Sequence, residues 1–102
     1  VAPESAATYL QELQTQCTTL GRSTLASIIG RFYAMDRDNN WQRTQLAYEC
    51  MTSPNQSFYK TWQEVLYAYY QKNISDEFIP PTQLDAQGII HDGDGLIFFN
   101  FR

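Results

Sequence analysis

A short apolar run rich in β-branched residues, 24–29, lies between Gly21 and Gly30 and follows a segment with helical periodicity. Apolar side chains of that preceding segment recur at the spacing of one helical face, which predicts a helix over roughly residues 3–20. Pro3 suits the first helical turn, and Gly21 suits the C-terminal cap. The run 24–29 is typical of a buried strand in a parallel sheet. A helix followed by such a strand favours the α/β class.

Two further helices are predicted in the middle of the chain. The second begins near Asp38 or Asn39, because either side chain can accept hydrogen bonds from free amides at a helix start. It ends at the Ser-Pro pair 53–54, since a residue before proline disfavours helical geometry. The third begins at Ser57 and stops at Asn73. The residues predicted to form its broad apolar face are Phe58, Trp62, Val65, Leu66, Tyr69 and Tyr70.

The remaining segments predict turns and a second strand. Residues 30–38 are polar at one end and irregular in pattern, so no regular element is predicted there. The Pro-Pro pair 80–81 forces an extended path, and residues 85–88 indicate a turn. The apolar run 96–101 indicates another buried strand. The resulting order, helix–strand–helix–helix–strand, is that of a single α/β unit without a linker.

Composition and charge exclude several classes of protein. The chain has 102 residues, of which 43% are hydrophobic and 18% charged, as in ordinary globular domains. A net charge of −4 argues against a nucleic-acid-binding module, which normally carries a basic face. No apolar run approaches the ~18–20 residues that a membrane-spanning helix needs. Two cysteines are too few for a disulfide framework, so a reduced, cytoplasmic setting is expected.

A series of arginines is the most informative chemical feature. Arg31, Arg37 and Arg43 recur at regular intervals after the first predicted strand, and Arg102 directly follows the second. Ligands in open α/β sheets collect beyond the carboxyl ends of strands, and guanidinium groups bind phosphate or carboxylate through paired hydrogen bonds. The pattern indicates a pocket for a small phosphorylated or carboxylated ligand. The alternative is that residues 36–38, Asp-Arg-Asp, form a surface ion-pair cluster.

Other candidate sites have weaker support. Asp36, Asp38 and Asn40 resemble the start of an EF-hand loop, but Trp41 stands in place of the required glycine, which excludes that reading. The stretch 91–95, His-Asp-Gly-Asp-Gly, offers metal-ligating atoms, yet its glycine spacing favours a tight turn. No Gly-x-Ser-x-Gly motif or glycine-rich phosphate loop occurs. The sequence therefore predicts neither a catalytic nucleophile nor a metal site in this chain.

Four stretches in order resemble the cofactor-independent phosphoglycerate mutase family. Residues 30–44 resemble its Gly-Arg-Tyr-Tyr-Ala-Met-Asp-Arg-Asp-x-x-Trp-x-Arg motif, with Phe32 at the first tyrosine. Residues 76–82 are similar to its Asp-Glu-Phe-Ile-x-Pro-Thr signature, and residues 92–102 to its Asp-Gly-Asp…Asn-Phe-Arg strand. Residues 3–13 resemble the helix that follows its Asp-Gly-Arg-Asp motif.

This resemblance implies an activity and a role for particular residues. The family interconverts 3-phosphoglycerate and 2-phosphoglycerate through a phosphoserine formed on a separate domain with two manganese ions. Residues 1–102 would be an internal piece of the transferase domain, a three-layer α/β/α structure. Arg31, Arg37 and Arg102 would bind substrate. No catalytic residue, metal ligand or cofactor is expected in this segment. Its partners would be phosphoglycerate and the remainder of the mutase chain, with neither nucleic acid nor membrane.

A second hypothesis keeps the arginine pocket without the enzyme. The chain would then be a stand-alone, non-catalytic anion-binding or interaction domain derived from the same family. The parent reading frame distinguishes the two hypotheses, because the enzyme requires coding sequence on both sides. In either case the isolated chain is expected to be catalytically inactive.

Overall fold

The computed structural model describes residues 3–54 and 59–100. Within them the chain forms four α-helices, two 3₁₀ turns and a two-stranded sheet. The elements in chain order are α1 (Ala6–Leu20), β1 (Ser27–Ile28), α2 (Arg31–Ala34), α3 (Trp41–Thr52), α4 (Trp62–Tyr70), the 3₁₀ turn Asp76–Phe78, β2 (Thr82–Gln83) and the 3₁₀ turn Ala86–Gly88.

The first helix confirms that the N-terminal segment is helical, but it begins at Ala6, so Pro3 lies before its first turn. It ends at Gly21, which adopts a φ of 76° and donates its N–H to the Cys17 carbonyl. A glycine meets this left-handed geometry without a Cβ penalty. At the other end, the Asp76 carboxylate accepts hydrogen bonds from the amides of Ser5 and Ala6 at 2.8 and 2.9 Å. A distant residue thus satisfies the free amides at the start of α1.

Both predicted middle helices form, but each begins at a different residue from the one predicted. Helix α3 begins at Trp41, so the predicted caps at Asp38 and Asn39 are wrong. Asn39 lies in the left-handed region with a φ of 59°, which a helical residue does not adopt. The predicted start of the third helix, Ser57, lies outside the described residues, and α4 begins at Trp62.

Helix α4 has a conventional start and stop. The Thr61 hydroxyl accepts a hydrogen bond from the Glu64 amide at 3.3 Å, as an N-cap does. Beyond its last turn, Asn73 takes a φ of 60°, which agrees with its predicted role as a stop signal.

The small sheet differs from the prediction in direction and length. β1 pairs antiparallel with β2, with Ser27 opposite Gln83 and Ile28 opposite Thr82. The predicted run 24–29 contributes only these two strand residues, and they are half-buried rather than buried. The parallel interpretation is wrong because β2 runs back past β1 with the opposite sense, and the strand that pairs with β1 follows the Pro-Pro pair 80–81.

The predicted second strand does not form in the described part of the C-terminal run. Residues 94–100 have no regular structure. The apolar side chains of Ile97, Phe98 and Phe99 are 78–89% exposed. A strand needs a neighbour for its N–H and C=O groups, and the described residues supply none here. The structure supports the α/β class through helices and a small sheet, while the three-layer arrangement stays a prediction.

The hydrophobic core lies between α4 and the segment that follows it. Trp62, Val65 and Leu66 on α4 pack with Ile79, and all four are at most 7% exposed. Leu10 of α1 and other half-buried side chains pack against this cluster. The predicted apolar face of the third helix is therefore confirmed in its described part. Ile79 directly follows the 3₁₀ turn Asp76–Phe78, so this turn rests on the best-buried part of the molecule.

Candidate functional site

The site begins at Gly30, two residues after the end of β1. The Gly30 amide donates to the Ile79 carbonyl at 2.8 Å. A Cβ at Gly30 would lie 2.5 Å from the Glu77 carbonyl oxygen and 2.7 Å from the Ile79 nitrogen. Only glycine permits this approach of two backbones. It brings α2, which the sequence did not predict, against the 3₁₀ turn Asp76–Phe78.

Arg31, the first residue of α2, contacts that turn through its side chain. Its Nε and Nη2 atoms both lie 2.5 Å from Oε1 of Glu77. The pair is open to solvent, since the side chains of Arg31 and Glu77 are 64% and 36% exposed. The guanidinium is thus held at one edge on the surface of a cleft.

Arg43, on α3, forms a second and more buried ion pair. Its Nη1 lies 3.3 Å from Oδ1 of Asp36, whose side chain is only 2% exposed. The other carboxylate oxygen of Asp36 accepts a hydrogen bond from the Asn40 amide at 2.8 Å. The guanidinium of Arg43 also lies 3.7 Å from the centre of the Phe32 ring, a cation–π contact. The Arg43 guanidinium is therefore held by two groups, the Asp36 carboxylate and the Phe32 ring.

An aromatic wall separates these two ion pairs. The ring of Phe32 lies 5.1 Å from the ring of Phe78 and 5.1 Å from that of Tyr33. The Phe32–Tyr33 pair is edge to face, a favourable geometry for aromatic rings. Phe32 and Phe78 join α2 to the 3₁₀ turn and give the cleft an apolar side.

Arg37 completes the cationic part of the cleft. It is exposed, and none of the residues described forms an ion pair with it. The cleft has a volume of about 530 Å³. Its charged lining residues are Arg31, Arg37, Arg43, Asp36, Asp38 and Glu77. The structure places the three internal arginines predicted from sequence on one cleft, whereas Arg102 lies outside the described residues.

The structure does not show the alternative that the sequence left open, a surface ion-pair cluster within residues 36–38. Asp36 turns inward to Arg43, seven positions along the chain, rather than to its neighbour Arg37. Arg37 consequently keeps its donors available to the cleft.

A single carboxylate, that of Asp76, anchors the 3₁₀ turn behind the cleft. Besides the two amides at the start of α1, it accepts a hydrogen bond from the Tyr70 hydroxyl. Burial, and then this hydrogen bond, raise the pKa of Tyr70 well above its ordinary value. The Asp76 amide in turn donates to the Pro3 carbonyl at 2.9 Å. Helix α1, helix α4 and the turn that carries Glu77 are thus joined at one point.

The weaker candidates do not form sites in the structure. The His91 amide donates to the Asp94 carboxylate at 2.7 Å, and the Asp94 amide donates to the His91 carbonyl, which is the tight turn that the glycines indicated. Across residues 3–54 and 59–100, no three His, Cys, Asp or Glu side chains are grouped to hold a metal ion. Burial raises the pKa of the Cys50 thiol, against a smaller opposing effect of its hydrogen bond with Ser27. A raised pKa disfavours the reactive thiolate.

Two residues of the cleft were not singled out as site residues from the sequence. Glu77 and Phe78 come from a turn that is 46 positions away from Arg31. The available signal was the Asp-Glu-Phe stretch 76–78, which formed part of the family resemblance but carried no assigned role.

Comparison with known proteins identifies the family. A family model described as BPG-independent PGAM N-terminus matches residues 1–102. The chain belongs to this family. The cofactor-independent mutase resemblance of the sequence motifs is thereby confirmed. No helix in the described part of the chain is both long enough and apolar enough to cross a lipid bilayer.

Relatives of the cofactor-independent mutase family agree along almost the whole chain. A protein of Synechococcus sp. (strain JA-2-3B'a(2-13)) is 45% identical over 100 residues, which is 98% of this chain and 19% of the relative. One of Prochlorococcus marinus (strain MIT 9303) is 46% identical over 97% of this chain and 18% of its own length. One of Serratia proteamaculans (strain 568) is 47% identical over 98% and 20%. All three are named 2,3-bisphosphoglycerate-independent phosphoglycerate mutase. The chain spans about a fifth of their length.

Proposed function

We propose that this chain is a substrate-binding portion of a 2,3-bisphosphoglycerate-independent phosphoglycerate mutase, part of its transferase domain. In the complete enzyme it would bind and orient phosphoglycerate while 3-phosphoglycerate and 2-phosphoglycerate interconvert. The observation that carries this proposal is the cleft on which Arg31 and Arg37 lie together. Arg37 in particular has no ion-pair partner among the described residues.

The chemistry of the cleft suits a small molecule with a phosphate and a carboxylate. Guanidinium groups form short, charge-assisted hydrogen bonds to both kinds of anion, often in pairs. Arg31 and Arg37 offer two such groups on separate positions of one cleft, and Arg102 would supply a third. Contacts of this kind fix the orientation of a substrate, which contributes to rate through positioning.

Arg43 has a different role in this proposal. Its guanidinium is already paired with Asp36 and stacked on Phe32. We assign it to the wall of the cleft, where it holds Asp36 and Phe32 in place, rather than to the ligand.

The phosphoryl-transfer chemistry would lie on other parts of the polypeptide. The family forms a phosphoserine intermediate and uses two manganese ions, and the donor groups described in this chain do not fit a metal site. The contribution of this segment is therefore binding and orientation. The 102 residues alone should show no mutase activity, and measurable turnover by them would contradict the proposal.

Substitution of the two arginines in the full-length polypeptide tests the proposal. Arg31→Ala or Arg37→Ala should raise KM for 3-phosphoglycerate and lower kcat, because each removes a charge-assisted hydrogen-bonding group. We expect kcat/KM to fall about 10- to 100-fold in each variant. A coupled assay of 2-phosphoglycerate formation measures it.

Arg22→Ala is the matched control, because Arg22 is exposed and does not line the cleft. It makes the same change of charge and should leave kcat/KM unaltered. An unchanged kcat/KM in Arg31→Ala or Arg37→Ala would remove that arginine from the binding site.

A further inference from the structure

We propose that Glu77 is a positioning residue for Arg31. Its carboxylate binds one edge of the Arg31 guanidinium, and the other edge remains free to bind the anionic group of the substrate. This inference rests on the proposed function of the cleft. It adds a residue from a different part of the chain to the binding machinery.

The geometry of the ion pair is the first argument. A guanidinium has five N–H donors and two edges that can each bind an anion with two hydrogen bonds. One oxygen of Glu77, Oε1, lies 2.5 Å from both Nε and Nη2, so it occupies the side edge. The outer edge, Nη1 with the second N–H of Nη2, meets no other acceptor in the part of the chain that the structure describes. The Arg31 side chain is 64% exposed, so that edge is open to a ligand.

The rigidity of the element that carries Glu77 is the second argument. The turn Asp76–Phe78 is joined to α1 and α4 through the Asp76 carboxylate. It is joined to the end of β1 through the close approach of Gly30. Ile79, the next residue, is 2% exposed in the core. Glu77 is therefore presented from a fixed position, although its own side chain is at the surface.

The small contribution of such a pair to stability is the third argument. Ion pairs between exposed side chains stabilise a fold very little, because solvent screens them and two long side chains must be ordered. In the Arg31–Glu77 pair, the two side chains are already ordered before a ligand binds. A ligand that meets an already oriented guanidinium loses less side-chain freedom on binding.

An opposite role for Glu77 is chemically conceivable and predicts the opposite result. A carboxylate beside Arg31 could compete with the substrate anion, and its removal would then tighten binding. The position of Oε1 on the side edge, away from the outer edge, favours positioning over competition.

The test is Glu77→Gln in the full-length polypeptide, assayed with 3-phosphoglycerate. The amide removes the charge at nearly constant volume and weakens the hold on Nε and Nη2. We expect kcat/KM to fall about tenfold. Most of the loss should appear in KM, because the free enzyme no longer presents an oriented guanidinium. Glu12→Gln is the control, since Glu12 is exposed on α1 and outside the cleft.

A double-mutant cycle separates positioning from a general structural effect. In an Arg31→Ala background, Glu77→Gln should cause no additional loss, because the group that it orients is gone. An equal loss in both backgrounds would overturn the proposal, and so would a lower KM in Glu77→Gln. If kcat/KM falls as expected in Arg31→Ala but stays at the wild-type value in Glu77→Gln, only the role of Glu77 is rejected. Wild-type kinetics in Arg31→Ala would reject the proposed function itself.

Discussion

The two ion pairs of the cleft have the same chemistry and different surroundings. On the α2–α3 side, Asp36 is 2% exposed and its partner Arg43 is 29% exposed. On the side of the turn Asp76–Phe78, Glu77 and Arg31 are 36% and 64% exposed. The first pair is also stacked on Phe32, whereas the second faces solvent.

This difference assigns the pairs to different tasks. A carboxylate taken out of water depends on its partner, so the loss of either member of the buried pair leaves an uncompensated charge. An exposed pair can open or share its donors at small cost. In the proposed function, the Asp36–Arg43 pair would therefore maintain the wall of the cleft, and the Glu77–Arg31 pair would present a cation to the ligand. The predictions below perturb one side at a time.

The largest expected effect comes from Gly30→Ala, which acts on the side of Glu77. The new Cβ would lie 2.5 Å from the Glu77 carbonyl oxygen and 2.8 Å from that of Ile79, so the two backbones must separate. We expect a local destabilisation of about 3 kcal/mol. Arg31 should lose its position beside Glu77, and kcat/KM should fall as in Arg31→Ala. Amide hydrogen exchange of residues 76–83 in the full-length polypeptide measures the local effect.

Gly95→Ala is the control for this substitution. Apart from its chain neighbours, no atom of residues 3–54 and 59–100 lies within 4 Å of the position that its Cβ would take. Exchange and activity should match the wild type. Wild-type exchange in Gly30→Ala would show that the close approach at Gly30 does not hold α2 against the turn.

A smaller effect is expected from Asp36→Asn, on the buried side. The substitution leaves Arg43 without its counter-ion, and because Arg43 is partly exposed we expect a loss of about 2 kcal/mol, below that of a fully buried pair. Glu77→Gln, the equivalent change in the exposed pair, should cost at most about 0.5 kcal/mol. Hydrogen exchange of residues 31–47 and 76–83 in the two variants provides the comparison. Equal losses would mean that burial does not distinguish the two pairs.

Local patterns in the sequence predicted the elements that depend on local interactions. The periodicity of the first segment and Gly21 predicted α1 and its end, and the face of α4 around Val65 was also recognised. The arginines were singled out as candidate anion-binding residues because their spacing and their position after a predicted strand can be seen directly in the linear sequence. Arg43, the third arginine of the series, also lines the cleft, and its proposed role in the wall was not apparent from the sequence.

Features that depend on distant contacts could not be predicted in the same way. Glu77 reaches Arg31 across 46 positions, and its place depends on how closely Gly30 approaches the following turn. The direction of β1 depends on which strand pairs with it, and a two-residue strand carries no pattern that indicates its partner. The apolar run at 96–99 has the composition of a buried strand, but a strand forms only where a neighbour accepts its hydrogen bonds.

A smaller effect than that of Asp36→Asn is expected at the anchor of the exposed side, the hydrogen bond from Tyr70 to Asp76. Tyr70→Phe removes it and should cost about 1 kcal/mol at neutral pH. Burial and the neighbouring carboxylate raise the pKa of Tyr70 above its ordinary value of 10.0. A raised pKa in the folded state means that the neutral phenol is stabilised by folding. This contribution is complete below pH 10.0 and declines at higher pH, by up to about 1.4 kcal/mol per pH unit.

The wild type should therefore lose its advantage over Tyr70→Phe as the pH rises above 10.0. Urea denaturation of both proteins at several pH values measures this difference in the free energy of unfolding. Tyr9→Phe is the control for the loss of a phenol hydroxyl, because Tyr9 is 58% exposed. A difference between wild type and Tyr70→Phe that stays constant with pH would mean that the phenol does not anchor the turn. The turn that carries Glu77 would then be held by the hydrogen bonds of Asp76 with the start of α1 and by the contacts of Gly30 and Ile79.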